Sequence, residues 1–124
     1  MAFFSGLLGN AGEYDRDQAA TEFGRLLGPG EAIEQAYKLV RDVILLTSRR
    51  IILVDKQGLT GRKTEYLSIP YRSITRFSVE SAGHLDLDAE LKLWVSGAAE
   101  PIQRTFNAKV DVYALQAAIA QKIP

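Results

Sequence analysis

The chain has 124 residues, enough for one domain with a buried core. Its fifteen basic and fifteen acidic residues cancel, so no global field draws it to nucleic acid, and a membrane is an unpromising partner. It contains no cysteine, which excludes disulfides, a thiol nucleophile and a thiolate metal site and suits a reducing cytoplasm.

The first stretch, MAFFSGLLGNAG, lacks a basic leader region, and Ser5 and Gly6 interrupt its apolar part. It reads as a tail or helical turn over 1–12 and not as a signal peptide. A weak contact with a neighbouring subunit or an interface through Phe3, Phe4, Leu7 and Leu8 is the alternative. Over 14–27 the residues Ala19, Ala20, Phe23, Leu26 and Leu27 fall on one helical stripe, Gly28 offers a C-cap, and Pro29 stops the helix.

The period then changes to two. AIEQAYKLV (32–40), DVILLT (42–47), RIILVD (50–55), TEYLSI (64–69), TRFSVE (75–80), a strand within 81–97 and IQRTF (102–106) make seven strand candidates. Their connectors are short, which dictates antiparallel neighbours. Within 81–97 the parity is strict. Leu85, Leu87, Ala89, Leu91 and Leu93 alternate with His84, Asp86, Asp88, Glu90 and Lys92. A strand puts the first set inside and the second outside. That pattern argues against a metal site, because carboxylates two apart on a strand are separated by about 6.5 Å. The calcium loop that D-x-D suggests also needs a sharp glycine turn, and Glu90 and Leu91 follow instead.

The last element is a helix over 111–122, with Val112, Leu115, Ile119 and Ile123 on one face. Asp111 at its start and Lys122 in its last turn both suit the helix dipole. The expected core comprises Leu39, Leu45, Leu53, Phe77, Val79, Leu87, Leu91, Leu93, Leu115 and Ile119.

Seven antiparallel strands followed by one helix is the plan of the pleckstrin-homology (PH) superfold. Residues Tyr37 to Gly97 strongly resemble the bacterial PH domain family. The resemblance is carried by Arg41-Asp42, Thr47 with Arg49-Arg50, the run Val54 to Gly61, Ile69-Pro70-Tyr71, and Ala82-Gly83 leading into Asp86 to Trp94. It covers nearly the whole chain. The implied fold is mainly β: a seven-stranded antiparallel two-sheet barrel or sandwich over 32–106, capped by the C-terminal helix, with an N-terminal helix in addition. The implied function is a non-enzymatic interaction module without cofactors, in the cytoplasm, assembling as a homo-oligomer. Rings of five occur in the family it resembles, and an unidentified protein partner is open.

Three tempting motifs fail on their spacing. GLTGRKT (58–64) is not a phosphate loop, since Lys63 lies two residues after Gly61 and a strand follows. A Ser–His–Asp triad would have to use His84, the only histidine, which sits beside no strained serine. Phosphoinositide binding in eukaryotic relatives uses a long basic loop after the first strand, and here that connection is Val40-Arg41-Asp42. Recognition of an anionic lipid or phosphorylated ligand through Arg41, Arg49, Arg50 and Lys63 is therefore the alternative function.

The pair Val43-Ile44-Leu45-Leu46 and Ile51-Ile52-Leu53-Val54 raises a separate question, because both strands are apolar on both faces. A two-sheet domain needs only one face of each for its own core. The other face would leave an apolar patch of a few hundred Å², about the limit for a monomer in water. Either the N-terminal helix covers it through Phe23, Leu26 and Leu27, or a neighbouring subunit does. The resemblance favours the subunit, which makes these eight residues the expected oligomer interface.

Overall fold

A computed structural model of the chain describes residues 13–39, 42–58, 62–81, 89–106 and 110–124. The elements run β1 (Glu13–Tyr14), α1 (Arg16–Phe23), a 3-10 turn (Gly24–Leu26), β2 (Ile33–Lys38), β3 (Val43–Thr47), β4 (Arg50–Gln57), β5 (Lys63–Pro70), a 3-10 turn (Tyr71–Ser73), β6 (Ile74–Ser81), β7 (Ala89–Val95), β8 (Ile102–Phe106) and α2 (Val112–Lys122). All strand pairs are antiparallel, as short connectors demand. They form two sheets, ordered β1-β2-β3-β4-β5 and β6-β7-β8.

The seven expected strands are present, and a two-residue strand precedes them. Glu13 and Tyr14 pair with Tyr37 and Ala36, so Tyr14 belongs to a sheet and not to the helix. The helix is also shorter than its apolar stripe suggests. Asp15 caps it by accepting from the backbone N–H of Asp17 at 3.3 Å. The α-helix ends at Phe23, and the N–H of Gly24 closes on the carbonyl of Ala20. The chain then tightens into the 3-10 turn and extends at Leu27. Glycine has the poorest helix propensity apart from proline, so the stop falls at Gly24 and not at Gly28. Ala20, placed on the stripe, is exposed.

The parity of the strand within 81–97 is visible from Ala89 onward. Ala89, Leu91 and Leu93 are buried, while Glu90 and Lys92 are half-exposed and lie 3.8 Å apart as an ion pair. His84, Leu85, Asp86, Leu87 and Asp88 lie outside the described residues.

Two hydrophobic clusters sandwich the first sheet. The inner one fills the space between the sheets with Tyr37, Ile44, Leu46, Ile51, Leu53, Ile69, Leu91, Leu93 and Phe106, and α2 adds Leu115 and Ile119. Tyr37 and Phe106 meet edge-on, with ring centroids 5.8 Å apart and planes at 82°. The outer cluster lies on the opposite face. There Val43, Leu45, Ile52 and Val54 pack with Ala36, Ile33, and Ala19 and Phe23 from α1, with Leu26 and Leu27 at the margin.

This arrangement corrects the expected oligomer interface. Val43, Ile44, Leu45, Leu46, Ile51, Ile52, Leu53 and Val54 are each at most 3% exposed. Half of them face the inter-sheet core and half face α1. The helix lies on its own sheet, so the patch that called for a neighbour is already covered within the chain.

Candidate functional site

Thr47 is the one fully buried polar residue among those described, and a compact polar network surrounds it. It ends β3, where the tight turn Ser48-Arg49 leads into β4. Its hydroxyl accepts from the backbone N–H of Arg49 and of Arg50, both at 3.0 Å, and donates to Glu31 Oε2 at 2.6 Å. Arg50 donates to the same carboxylate through Nε (2.8 Å, to Oε2) and Nη2 (3.0 Å, to Oε1). The backbone N–H of Gly28 donates to Oε1 at 2.9 Å.

Arg50 reaches further. Its Nη2 donates to the Leu26 carbonyl at 2.7 Å and its Nη1 to Ser68 Oγ at 2.8 Å. One guanidinium thus ties the 3-10 turn after α1, the loop before β2, and β5. The Tyr71 hydroxyl donates to the Thr47 carbonyl at 2.6 Å.

The electrostatics follow from the geometry. Bonds from Arg50 hold the Glu31 carboxyl at about 2, against an ordinary 4.5, and outweigh the burial that would raise it. The Glu31 carboxylate in turn raises the pKa of Arg50. Burial pushes the Tyr71 phenol up, helped by the negative charges of Glu34 and Glu31. Each of these groups is held in the charge state it already prefers at neutral pH. The network is a clasp that joins the loop before β2 to the turn between β3 and β4.

Of the four residues of the anion-binding alternative, the described three, Arg49, Arg50 and Lys63, do not form one cluster. Arg50 is committed to the clasp. Arg49 is exposed and lies against the glycine turn, where a Cβ on Gly30, whose φ is +77°, would come within 3.3 Å of Nη2. Lys63 lies opposite Gln57 while Arg50 lies opposite Pro70. That puts Lys63 at the far end of the ladder, about 23 Å away at 3.3 Å per residue. Arg41 lies outside the described residues. A cavity of about 130 Å³ between β2 and α2 is lined by Glu34, Gln35, Leu46, Ala118, Gln121 and Lys122. An ion pair between Lys122 and Glu34 ties its two walls together.

Comparison with known proteins settles the family. The family description "Bacterial PH domain" matches residues 2–123. The chain belongs to the bacterial PH domain family. Its fold is shared by a crystal structure of a PH domain from Shewanella amazonensis SB2B, 48% identical, covering 98% of each chain with a TM-score of 0.81. It is shared equally by a duf1696 family protein with a pleckstrin-homology domain from Shewanella loihica PV-4. That protein is 45% identical, the match covers 94% of this chain and 99% of the other, and the TM-score is 0.81. The uncharacterized protein YjqA of Bacillus subtilis (strain 168) is 51% identical over 121 residues, 97% of each chain.

Two further features of this bacterial PH domain are its sheet edges and the outer face of its second sheet. β5 ends the first sheet, and β6 and β8 flank the second. On the outer face Arg76 lies opposite Trp94, with its guanidinium carbon 4.4 Å from a ring centroid. Neither residue stands out in the sequence as half of a pair. The signal that could have joined them was parity, since Trp94 continues the even, outward-facing register of Glu90 and Lys92.

Proposed function

We propose that this bacterial PH domain is a non-enzymatic protein-interaction module that assembles with copies of itself in the cytoplasm. The observation that carries the reading is a pair of edge strands at unlike places, β5 on one sheet and β8 on the other, each paired on one side only among the described residues. A free strand edge is a template for further pairing. Two different edges supply the unlike surfaces that a head-to-tail ring needs, whereas a single self-matching patch closes only dimers. Five copies is the expected number, carried over from the family resemblance and not from the buried β3–β4 residues. No helix of the described residues is long and apolar enough to cross a membrane, in keeping with an interaction between soluble partners.

Light scattering after gel filtration tests the reading. A mass near five times the 13.7 kDa chain is expected, unchanged by anionic liposomes. A monomer at high micromolar concentration would remove the assembly. Co-elution with the liposomes would return the ligand-binding alternative, with Arg49 and Lys63 as its exposed cations.

A further inference from the structure

We propose that the outer face of the second sheet docks an extended segment of a partner protein, one that carries an acidic and a basic residue four positions apart. This goes beyond self-assembly, because it gives the chain a surface for an unlike partner.

Register builds the face. Arg76, Ser78 and Glu80 of β6 lie opposite Trp94, Lys92 and Glu90 of β7. The side chains between them, Phe77 and Val79 with Leu93 and Leu91, turn to the inner cluster, and the residues that α2 buries, Leu115 and Ile119, join them there. The helix thus meets β6 from the core side. On the outer side Arg76 and Glu80 are exposed, and Ser78, Glu90, Lys92 and Trp94 are half-buried.

The charges are sorted to two ends. At one end the guanidinium carbon of Arg76 lies 4.4 Å from a Trp94 ring centroid. Stacking holds the guanidinium plane and leaves its N–H rim for an oxygen acceptor. Trp94 is anchored in turn, since its carbonyl accepts from the Thr75 hydroxyl at 3.2 Å. Lys92 is diagonal to Arg76 across the ladder, within about 8 Å, so both cations can serve one carboxylate. At the other end Glu80 and Glu90 stand directly opposite each other, an arrangement of like charges that opposes the ladder. The ion pairs among the described residues are Arg50–Glu31, Lys92–Glu90 and Lys122–Glu34, and neither Arg76 nor Glu80 is in any of them. Each end therefore holds one charge open to a partner, and the two are of opposite sign.

The spacing specifies that partner. Arg76 and Glu80 are four residues apart on one strand, about 13 Å at 3.3 Å per residue. An extended segment lying along β6 and β7 presents side chains on one face at the same interval. An acid and a base four positions apart then reach both ends at once. A uniformly acidic segment, or an anionic membrane, would meet repulsion at Glu80 and Glu90. With zero net charge on the chain, no long-range field offsets that repulsion.

Trp94 is the only tryptophan, so its fluorescence reads the face directly. The probe is a capped seven-residue peptide of threonine and valine with glutamate at its second position and lysine at its sixth. Titration should shift the emission and saturate. Arg76→Glu or Glu80→Arg should each weaken binding roughly tenfold through a like charge at one end. The double variant should recover affinity, since exchanging both charges only reverses the direction in which the peptide lies. The same peptide with glutamate at both positions should leave the emission unchanged, as should phosphatidylserine vesicles. No saturable shift up to millimolar peptide overturns the proposal, as does an equal response to the diacidic peptide or a double variant no better than the single ones. A response to the vesicles alone gives the face to a membrane and overturns it too. The ring is read by mass without peptide and this face by fluorescence, so one can fail without the other.

Discussion

Glu31 receives four hydrogen bonds, from Thr47, Gly28 and two nitrogens of Arg50, and its side chain is only 2% exposed. Replacing it by glutamine leaves Arg50 without its counter-charge, and we expect a loss of about 2–3 kcal/mol at pH 7. The pH dependence has a definite sign. The carboxyl is depressed to about 2 in the fold from an ordinary 4.5, so its stabilisation is fully present above about 4.5 and is lost as pH falls towards 2. Thermal melts of the parent and Glu31→Gln should differ most at neutral pH and converge near pH 2. A constant difference across that range would detach the clasp from the ionised carboxylate. Thr47 and Arg50 were legible as a short, specific pattern at a turn. Glu31 was not, because its partners lie 16 and 19 residues away, and a loop has no periodicity to show which way it faces. Arg50 looked like a free surface cation for the same reason.

At the scale of elements, period carried the reading wherever one face of a strand was wet. β7 is the clearest case, with Leu91 at 1% exposure between two half-exposed charged residues. Leu91→Asp should unfold the domain, since an unpaired buried carboxylate costs several kcal/mol against a stability of similar size. A melt like the parent's would contradict the register. Period says nothing about β3 and β4, whose two faces are equally apolar. It leaves open whether the second face is covered by the chain's own helix or by a neighbour, and the decision comes from where α1 lies. Ile52 sits opposite Leu45, 1% exposed, in the cluster that includes Phe23. Ile52→Lys should therefore abolish the β circular dichroism signal at room temperature. A folded but smaller particle is what an exposed interface at Ile52 would have given. The helix boundary was misread because the apolar stripe runs on through Leu26 and Leu27, whereas Gly24 breaks the α-helical hydrogen bonding before they are reached.

For the whole molecule, the first sheet has a cluster on each face, and the two clusters draw on different lengths of chain. All the buried members of the outer one fall between Ala19 and Val54, whereas the inner one includes Leu115 and Ile119. A ribosome delivers residues in order. By the time β4 has emerged, α1 can already dock on its side of the sheet, closing a short loop at modest entropic cost. The opposite side, with Ile44, Leu46, Ile51 and Leu53, still waits for β6 to β8 and for α2. A nascent or stalled chain is therefore dry on one side and greasy on the other, and that exposed row is where a holding chaperone would bind until the last helix arrives.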